Sequence, residues 1–97
     1  MYYVYVLLSE KDKNFYIGFT KDVEQRLDEH NVGKDVSTRS RRPFKIFYYE
    51  AHISKSDALR RKGYFKTTKG KATLKQILKD ALLNNKQKHS HPEPKSI

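Results

Sequence analysis

A chain of 97 residues supports one domain, and a domain of that size buries only about two thirds of its unfolded surface, so it folds with little stability in reserve. The absence of cysteine excludes disulfides and thiolate metal sites and suits a reducing, cytoplasmic compartment. A formal charge of +10 and a pI near 9.8 favour polyanions, because each phosphate neutralised by Lys or Arg releases condensed counterions; a purely solubilising surface is the competing account.

The chain opens MYYVYVLLSEKDK, a short apolar run with no basic region before it and far too few residues to cross a bilayer. No amphipathic basic segment carries a Trp anchor, so no membrane partner is expected. Residues 2–8 are aromatic and β-branched and predict a strand; residues 10–14 form a polar turn, and Phe15 to Phe19 resume the strand pattern, giving a β-hairpin. Asp22 with Gln25 three residues on is a capping box, and Val23, Leu27 and His30 fall on one face of a helix that should end before Gly33. A basic polar loop runs from Gly33 to Pro43. FKIFYYEAH then predicts a strand in which Phe44, Ile46 and Tyr48 alternate with Lys45, Phe47 and Tyr49. Ser54 with Asp57 opens a second helix through about Phe65. After a break at Thr67 to Gly70, Leu74, Ile77, Leu78, Ala81 and Leu82 make the apolar stripe of a third.

From Asn84 onward there is almost no apolar residue, so residues 84–97 are expected to be a disordered basic and polar tail; its His89 and His91 are read as part of that tail rather than as metal ligands. The order β-β-α-β-α-α predicts an α+β domain, a small, mainly antiparallel three-stranded sheet flanked by helices.

Tyr3-Val4-Tyr5, then Tyr16-Ile17-Gly18, then Arg26 and His30, resemble in order and spacing the GIY-YIG nucleases, and most closely their small stand-alone bacterial members. Openings like MYYVYVL, the segment from FYIG to EHNVGK, and a later RRP followed by YYE carry the likeness from Met1 to about Leu83, so residues 1–83 are expected to form the nuclease-like domain. Tyr3 stands where the motif name has its first glycine.

The resemblance implies a metal-dependent DNA endonuclease, with DNA preferred over RNA, hydrolysing phosphodiester bonds with Mg²⁺ or Mn²⁺. In it Tyr5 and Tyr16 line the site and one serves as general base. Arg26 stabilises transition-state charge, and His30 has a supporting or proton-transfer role. The residues suit those roles. Two tyrosines on neighbouring strands can converge. Arg26 and His30 are i and i+4 on one helix face, and an arginine offers a planar charged fork to a phosphate oxygen. Gly18 permits a close backbone approach or a turn.

The similar small proteins also place a metal-binding glutamate in the second helix, in a segment like ALRRE. Here that segment reads Ala58-Leu59-Arg60-Arg61-Lys62, and a protonated lysine cannot ligate Mg²⁺. Glu50 is the nearest substitute in sequence. A binding module with the same fold and little cleavage is therefore the alternative function. Lys34, Arg39, Arg41, Arg42, Arg60, Arg61, Lys62 and Lys66 are the candidate phosphate contacts, with Lys69 and Lys71 beside them, and Tyr48, Tyr49, Tyr64 and Phe65 are candidates for base stacking.

Overall fold

The computed structural model describes the backbone of residues 1–90 and the side chains of residues 1–85. The elements are β1 (Tyr2–Ser9), β2 (Phe15–Thr20), α1 (Val23–Asn31), a 3-10 turn (Arg39–Arg41), β3 (Phe44–His52), α2 (Lys55–Phe65), α3 (Thr68–Ile77) and α4 (Lys79–Ser90). They form an antiparallel sheet in the order β2-β1-β3, so the first strand is central and both neighbours are edges.

Side chains alternate across β1 and divide the core in two. Val4 and Val6, with Ile17 of β2, meet Ala58 and Phe65 of α2 and Leu74 and Leu78 beyond it. Tyr5 and Leu7 point the other way, toward Val23 and Leu27 of α1 and Phe44 of β3. One face of the sheet therefore carries α1, and the other carries α2, α3 and the start of α4. Burying an aliphatic or aromatic side chain of this kind contributes on the order of 1.5–3 kcal/mol.

The helix boundaries follow the capping chemistry. The Asp22 side chain accepts from Gln25 N at 3.0 Å and that of Ser54 from Asp57 N at 3.4 Å, as their spacing predicts. At the end of α1, Gly33 N donates to His30 O and Lys34 N to Glu29 O, with Gly33 at φ 84°. That is the paired closure of a Schellman motif, which favours glycine in the left-handed position. Asn31 then fixes β3 against α1, accepting from Phe44 N at 2.8 Å and donating to Phe44 O at 3.0 Å.

Three details depart from the sequence pattern. The register slips between Val6 and Leu7, which face Tyr48 and Ile46, so Phe47 is an extra residue in β3. Through this bulge Phe47 and Tyr48 both pack on the α2 side, and strict alternation fails. The third helix is two, bent at Leu78 (φ −99°, ψ 15°), and Ile77 is left exposed outside the stripe. The bonds Leu78 N to Leu74 O and Leu82 N to Leu78 O carry the chain across the bend. Finally, α4 runs to Ser90 through a stretch read as tail, where no Gly or Pro interrupts before Pro92. Residues 91–97, His91 included, and the His89 side chain lie outside the described residues. No described helix is long and apolar enough to cross a membrane.

Candidate active site

The hairpin register pairs Tyr5 with Gly18 and Leu7 with Tyr16, which sets both tyrosines on the α1 face as a diagonal pair with ring centroids 6.3 Å apart. A Cβ on Gly18 would lie 2.3 Å from both Cζ and the hydroxyl of Tyr5. Gly18 is thus needed neither for a turn nor for an unusual φ. It leaves room for the Tyr5 ring to lie across β2.

Tyr5 is 1% exposed and His30 is wholly buried. The Tyr5 hydroxyl and His30 Nε2 are 3.1 Å apart, and His30 Nδ1 and Thr38 Oγ1 are 2.8 Å apart; Thr38 Oγ1 is 3.4 Å from the carbonyl of Asp35. One direction satisfies every donor in this chain. Tyr5 donates to Nε2, Nδ1–H donates to Thr38, and Thr38 donates to Asp35 O; the tautomer is assigned here by that count. It requires a neutral imidazole. Burial, aided by the nearby Arg26 charge, holds the His30 pKa below its ordinary value. Burial likewise pushes the Tyr5 phenol up to about 12, although Arg26 beside it works in the opposite sense. Tyr5 is therefore a protonated donor near neutral pH, and both ring nitrogens of His30 are engaged.

Tyr16 and Arg26 make up the accessible part of the cluster. Tyr16 is half-buried, and its ring meets the His30 ring edge-on at 4.9 Å. Arg26 donates from Nη1 to Glu29 Oε1 at 3.0 Å and from Nη2 to Asp35 Oδ2 at 3.1 Å. Burial disfavours its charge, but the bond to Glu29 and the neighbouring Tyr5 raise its pKa further, so it stays cationic. Two of its five N–H groups are committed to carboxylates and Tyr5 lies beside it, so at most three remain open.

Tyr5, Tyr16, Gly18, Arg26 and His30 thus share one face of the sheet. Thr38, Glu29 and Asp35 complete the arrangement, and sequence reasoning had not singled them out. Glu29 could have been found as the i+3 partner of Arg26, whereas Thr38 and Asp35 reach the site by the path of a loop that has no periodicity.

The carboxylates do not fit a divalent cation here. Glu29 and Asp35 are both spent on Arg26, and no group of three or more His, Cys, Asp or Glu among the described residues could hold a metal. Glu50 belongs to the α2 side of the sheet. It accepts from Tyr48 at 2.8 Å, from His52 at 3.2 Å and from Arg61 Nη2 at 2.9 Å, and despite its burial these donors, Arg61 first, lower its pKa. That is a satisfied structural carboxylate, and the expectation of Glu50 as metal ligand does not hold. Lys62 is half-buried on α2, in the helix layer opposite α1.

The basic candidates separate in the same way. Arg41 is tied by Nε to Asp12 at 2.6 Å and by Nη2 to the carbonyls of Asn14 and Phe15, so it fastens the β1–β2 turn instead of facing solvent. Arg61 is committed to Glu50 and lies 4.3 Å from the centroid of the Phe65 ring. Arg60 pairs with Asp57, and Lys34 lies 4.0 Å from Glu29. Arg39, Arg42 and Lys66 are exposed. Among the aromatics, Phe65 is fully buried and cannot stack on a base. Tyr48 and Tyr64 are half-buried and hydrogen-bonded to Glu50 and Thr73, while Tyr49 is 54% exposed.

Residues 1–76 match the model of the GIY-YIG catalytic domain. A UPF0213 protein of Staphylococcus haemolyticus is 42% identical over 77 residues, covering 78% of this chain and 93% of its own length. One from Bacillus pumilus is 35% identical over 92 residues, covering 93% of this chain and 91% of its own. The solution NMR structure of a Bacillus halodurans UPF0213 protein is 36% identical, covers 79% of this chain and 85% of that one, and superposes with a TM-score of 0.49. With the catalytic-domain match spanning most of its length and bacterial relatives aligned over nearly their whole chains, this protein belongs to the GIY-YIG nuclease family, whose substrate is nucleic acid.

Proposed function

We propose that the protein is a DNA endonuclease in which Tyr16 and Arg26 face the scissile phosphodiester. The observation that carries this reading is the half-exposed Tyr16 beside a cationic Arg26, both set on a buried Tyr5–His30–Thr38 chain. Water attacks phosphorus in line and the bond to the leaving oxygen breaks. The Tyr16 oxygen takes a water proton as its own hydroxyl proton passes to solvent, and the leaving oxygen takes up a proton from solvent to depart as an alcohol. The uncommitted N–H groups of Arg26 stabilise the charge that grows on the equatorial oxygens. Tyr5 and His30 hold these groups in place. Mg²⁺ or Mn²⁺ is the cofactor this chemistry calls for, although the carboxylates near Arg26 supply no site for it.

The test is conversion of supercoiled plasmid in Mg²⁺ or Mn²⁺, with EDTA as the control. Arg26→Ala and Tyr16→Phe should each lower the rate on the order of a hundredfold, and Tyr5→Phe by much less. Undiminished cleavage by Arg26→Ala would assign the activity to a contaminant.

One observation favours a second reading, a nucleic-acid-binding module with little cleavage: Lys62 stands where the resemblance expects a carboxylate, and Glu50 is already saturated. Because Lys62 lies on α2, across the sheet from Arg26, Lys62→Glu should bring no gain of about tenfold in metal-dependent cleavage, and such a gain would show that α2 reaches the phosphate. DNA binding with no such gain, in a wild type that does not cleave, would establish the binding module.

A further inference from the structure

The sequence holds six arginines, and four of them, Arg26, Arg41, Arg60 and Arg61, are paired with carboxylates. Arg39 and Arg42 have no carboxylate partner among the described residues. Each is held through Nε by a backbone carbonyl instead, Arg39 to Gly33 O and Arg42 to Arg39 O, both at 2.8 Å. A neutral acceptor fixes a guanidinium without cancelling its charge, and it leaves the Nη groups available. Both side chains also lie over Gly33. A Cβ on Gly33 would lie 2.8 Å from Arg42 Nη1 and 3.3 Å from Arg39 Cγ. Both arginines line one open groove of about 420 Å³ with Lys11, Asn31, Ser40 and Pro43, and no acid lines it. Two other surface grooves differ in this respect: one includes Asp22 and Glu24, and the other Asp57. Preorganised, uncompensated guanidinium forks in a concave surface suit a phosphate.

We propose that the Lys11–Arg39–Arg42 groove is a second phosphate subsite, taking a backbone phosphate of the nucleic acid that flanks the one presented to Tyr16 and Arg26. This rests on the reading of the protein as a DNA enzyme and adds a location to it. The two sites are joined by one loop. Asp35 is bonded to Arg26 and Thr38 to His30, and Arg39 follows Thr38 directly, about 3.8 Å further along the chain. Phe44, whose ring centroid is 6.5 Å from that of Tyr16, is fixed by Asn31, which walls the groove. A strand lying in the groove is thereby led toward Tyr16.

The experiment measures binding of a short fluorescent DNA duplex by anisotropy across a salt series. Each B-DNA phosphate neutralised steepens the slope of log K on log salt by about 0.9. The Arg39→Gln/Arg42→Gln double variant should therefore be shallower than wild type by about 0.9, and weaker on the order of tenfold at low salt. Lys55→Gln/Lys75→Gln removes the same charge from exposed positions outside the groove and should leave the slope near that of wild type. The arginines also brace their loop, so Lys11→Gln supplies an independent variant. Its side chain makes no bond among the described residues, and it should weaken binding severalfold with no change in thermal stability. Equal loss in the control pair, or wild-type slopes in both groove variants, overturns the subsite. So does inorganic phosphate that saturates the groove while DNA slopes stay as in wild type, since this would mark a site for free phosphate. If wild type fails to bind DNA at low salt, the enzyme reading falls together with the groove. If it binds and cleaves while the groove variants behave as wild type, the groove alone is wrong.

Discussion

Gly18→Ala isolates the contact on which the candidate site is built. The added methyl carbon would stand 2.3 Å from two atoms of the Tyr5 ring system and 2.7 Å from a third, and Tyr5 is 1% exposed, with no open space to move into. Forcing a methyl group into a packed site costs about 1–3 kcal/mol. If Tyr5 swings aside, the buried Nε2 of His30 also loses its donor, a loss of about 1–3 kcal/mol that overlaps with the first. A total near 2–4 kcal/mol is a large fraction of the 5–15 kcal/mol typical of a domain, and it lowers Tm by at least about 8 °C. Gly63→Ala is the matched control, because no atom lies within 4 Å of its Cβ position and it sits inside α2. That change should stabilise the protein by about 0.5–1 kcal/mol through helix propensity alone. Urea denaturation of both variants measures the contrast. The cause is checked in a Tyr5→Leu background, where no hydroxyl or ring edge reaches the new methyl and Gly18→Ala should cost under about 1 kcal/mol. A neutral Gly18→Ala, or an undiminished cost beside Leu, would refute the argument.

Two further outcomes follow from the titrating groups. His30 has a folded pKa below its ordinary 6.5, so the unfolded chain binds the proton first. The associated stability is complete above pH 6.5 and is lost as pH falls through the window below it, at up to about 1.4 kcal/mol per pH unit. Urea midpoints should show this slope in wild type and lose it in His30→Gln, and a slope that survives there assigns the effect to another group. Asp12 is held at about 2, first of all by its bond to Arg41. In Arg41→Ala its NMR titration should move toward the ordinary 3.8, and an unmoved midpoint would contradict the tie between the β1–β2 turn and the 39–42 turn.

The fold was legible because its signals are local. Asp22 and Ser54 announce helix starts, Gly33 announces an end, and the alternation along residues 2–8 separates the two faces of the central strand. Failures occur where long-range packing decides. The extra residue Phe47 cannot be seen in FKIFYYEAH, since the slip is defined by which residues of β1 lie opposite. The bend at Leu78 interrupts an apolar spacing that remains helical on both sides. At the site, motif spacing brings together Tyr5, Tyr16, Gly18, Arg26 and His30, but it carries no information on exposure, and exposure separates the tyrosines. Tyr5 is interior and bonded to His30, and only Tyr16 reaches the surface. Arg41 and Arg42 are neighbours of identical type, yet Asp12, 29 residues before Arg41, fastens that one alone.

The pairing of Arg26 has a consequence for where affinity resides. One guanidinium held between Glu29 and Asp35, with Lys34 4.0 Å from Glu29, makes a cluster of no net charge, and an approaching phosphate meets two carboxylates along with the arginine. Such a cluster fixes the direction of the remaining N–H groups but contributes little long-range attraction, since Coulomb steering depends on net charge. Attraction must come from cations without acidic partners, and Arg39 and Arg42 are held without any. On the proposed reading Arg26 meets the phosphate only after the strand is placed, when short directional bonds matter more than net charge. On this division of labour Arg26→Ala impairs cleavage while leaving DNA affinity near wild type, and the Arg39→Gln/Arg42→Gln pair impairs affinity first. Plasmid cleavage and duplex anisotropy on the same two proteins separate the roles, and Arg26→Ala losing both in equal measure would show that the arginine binds as well as activates.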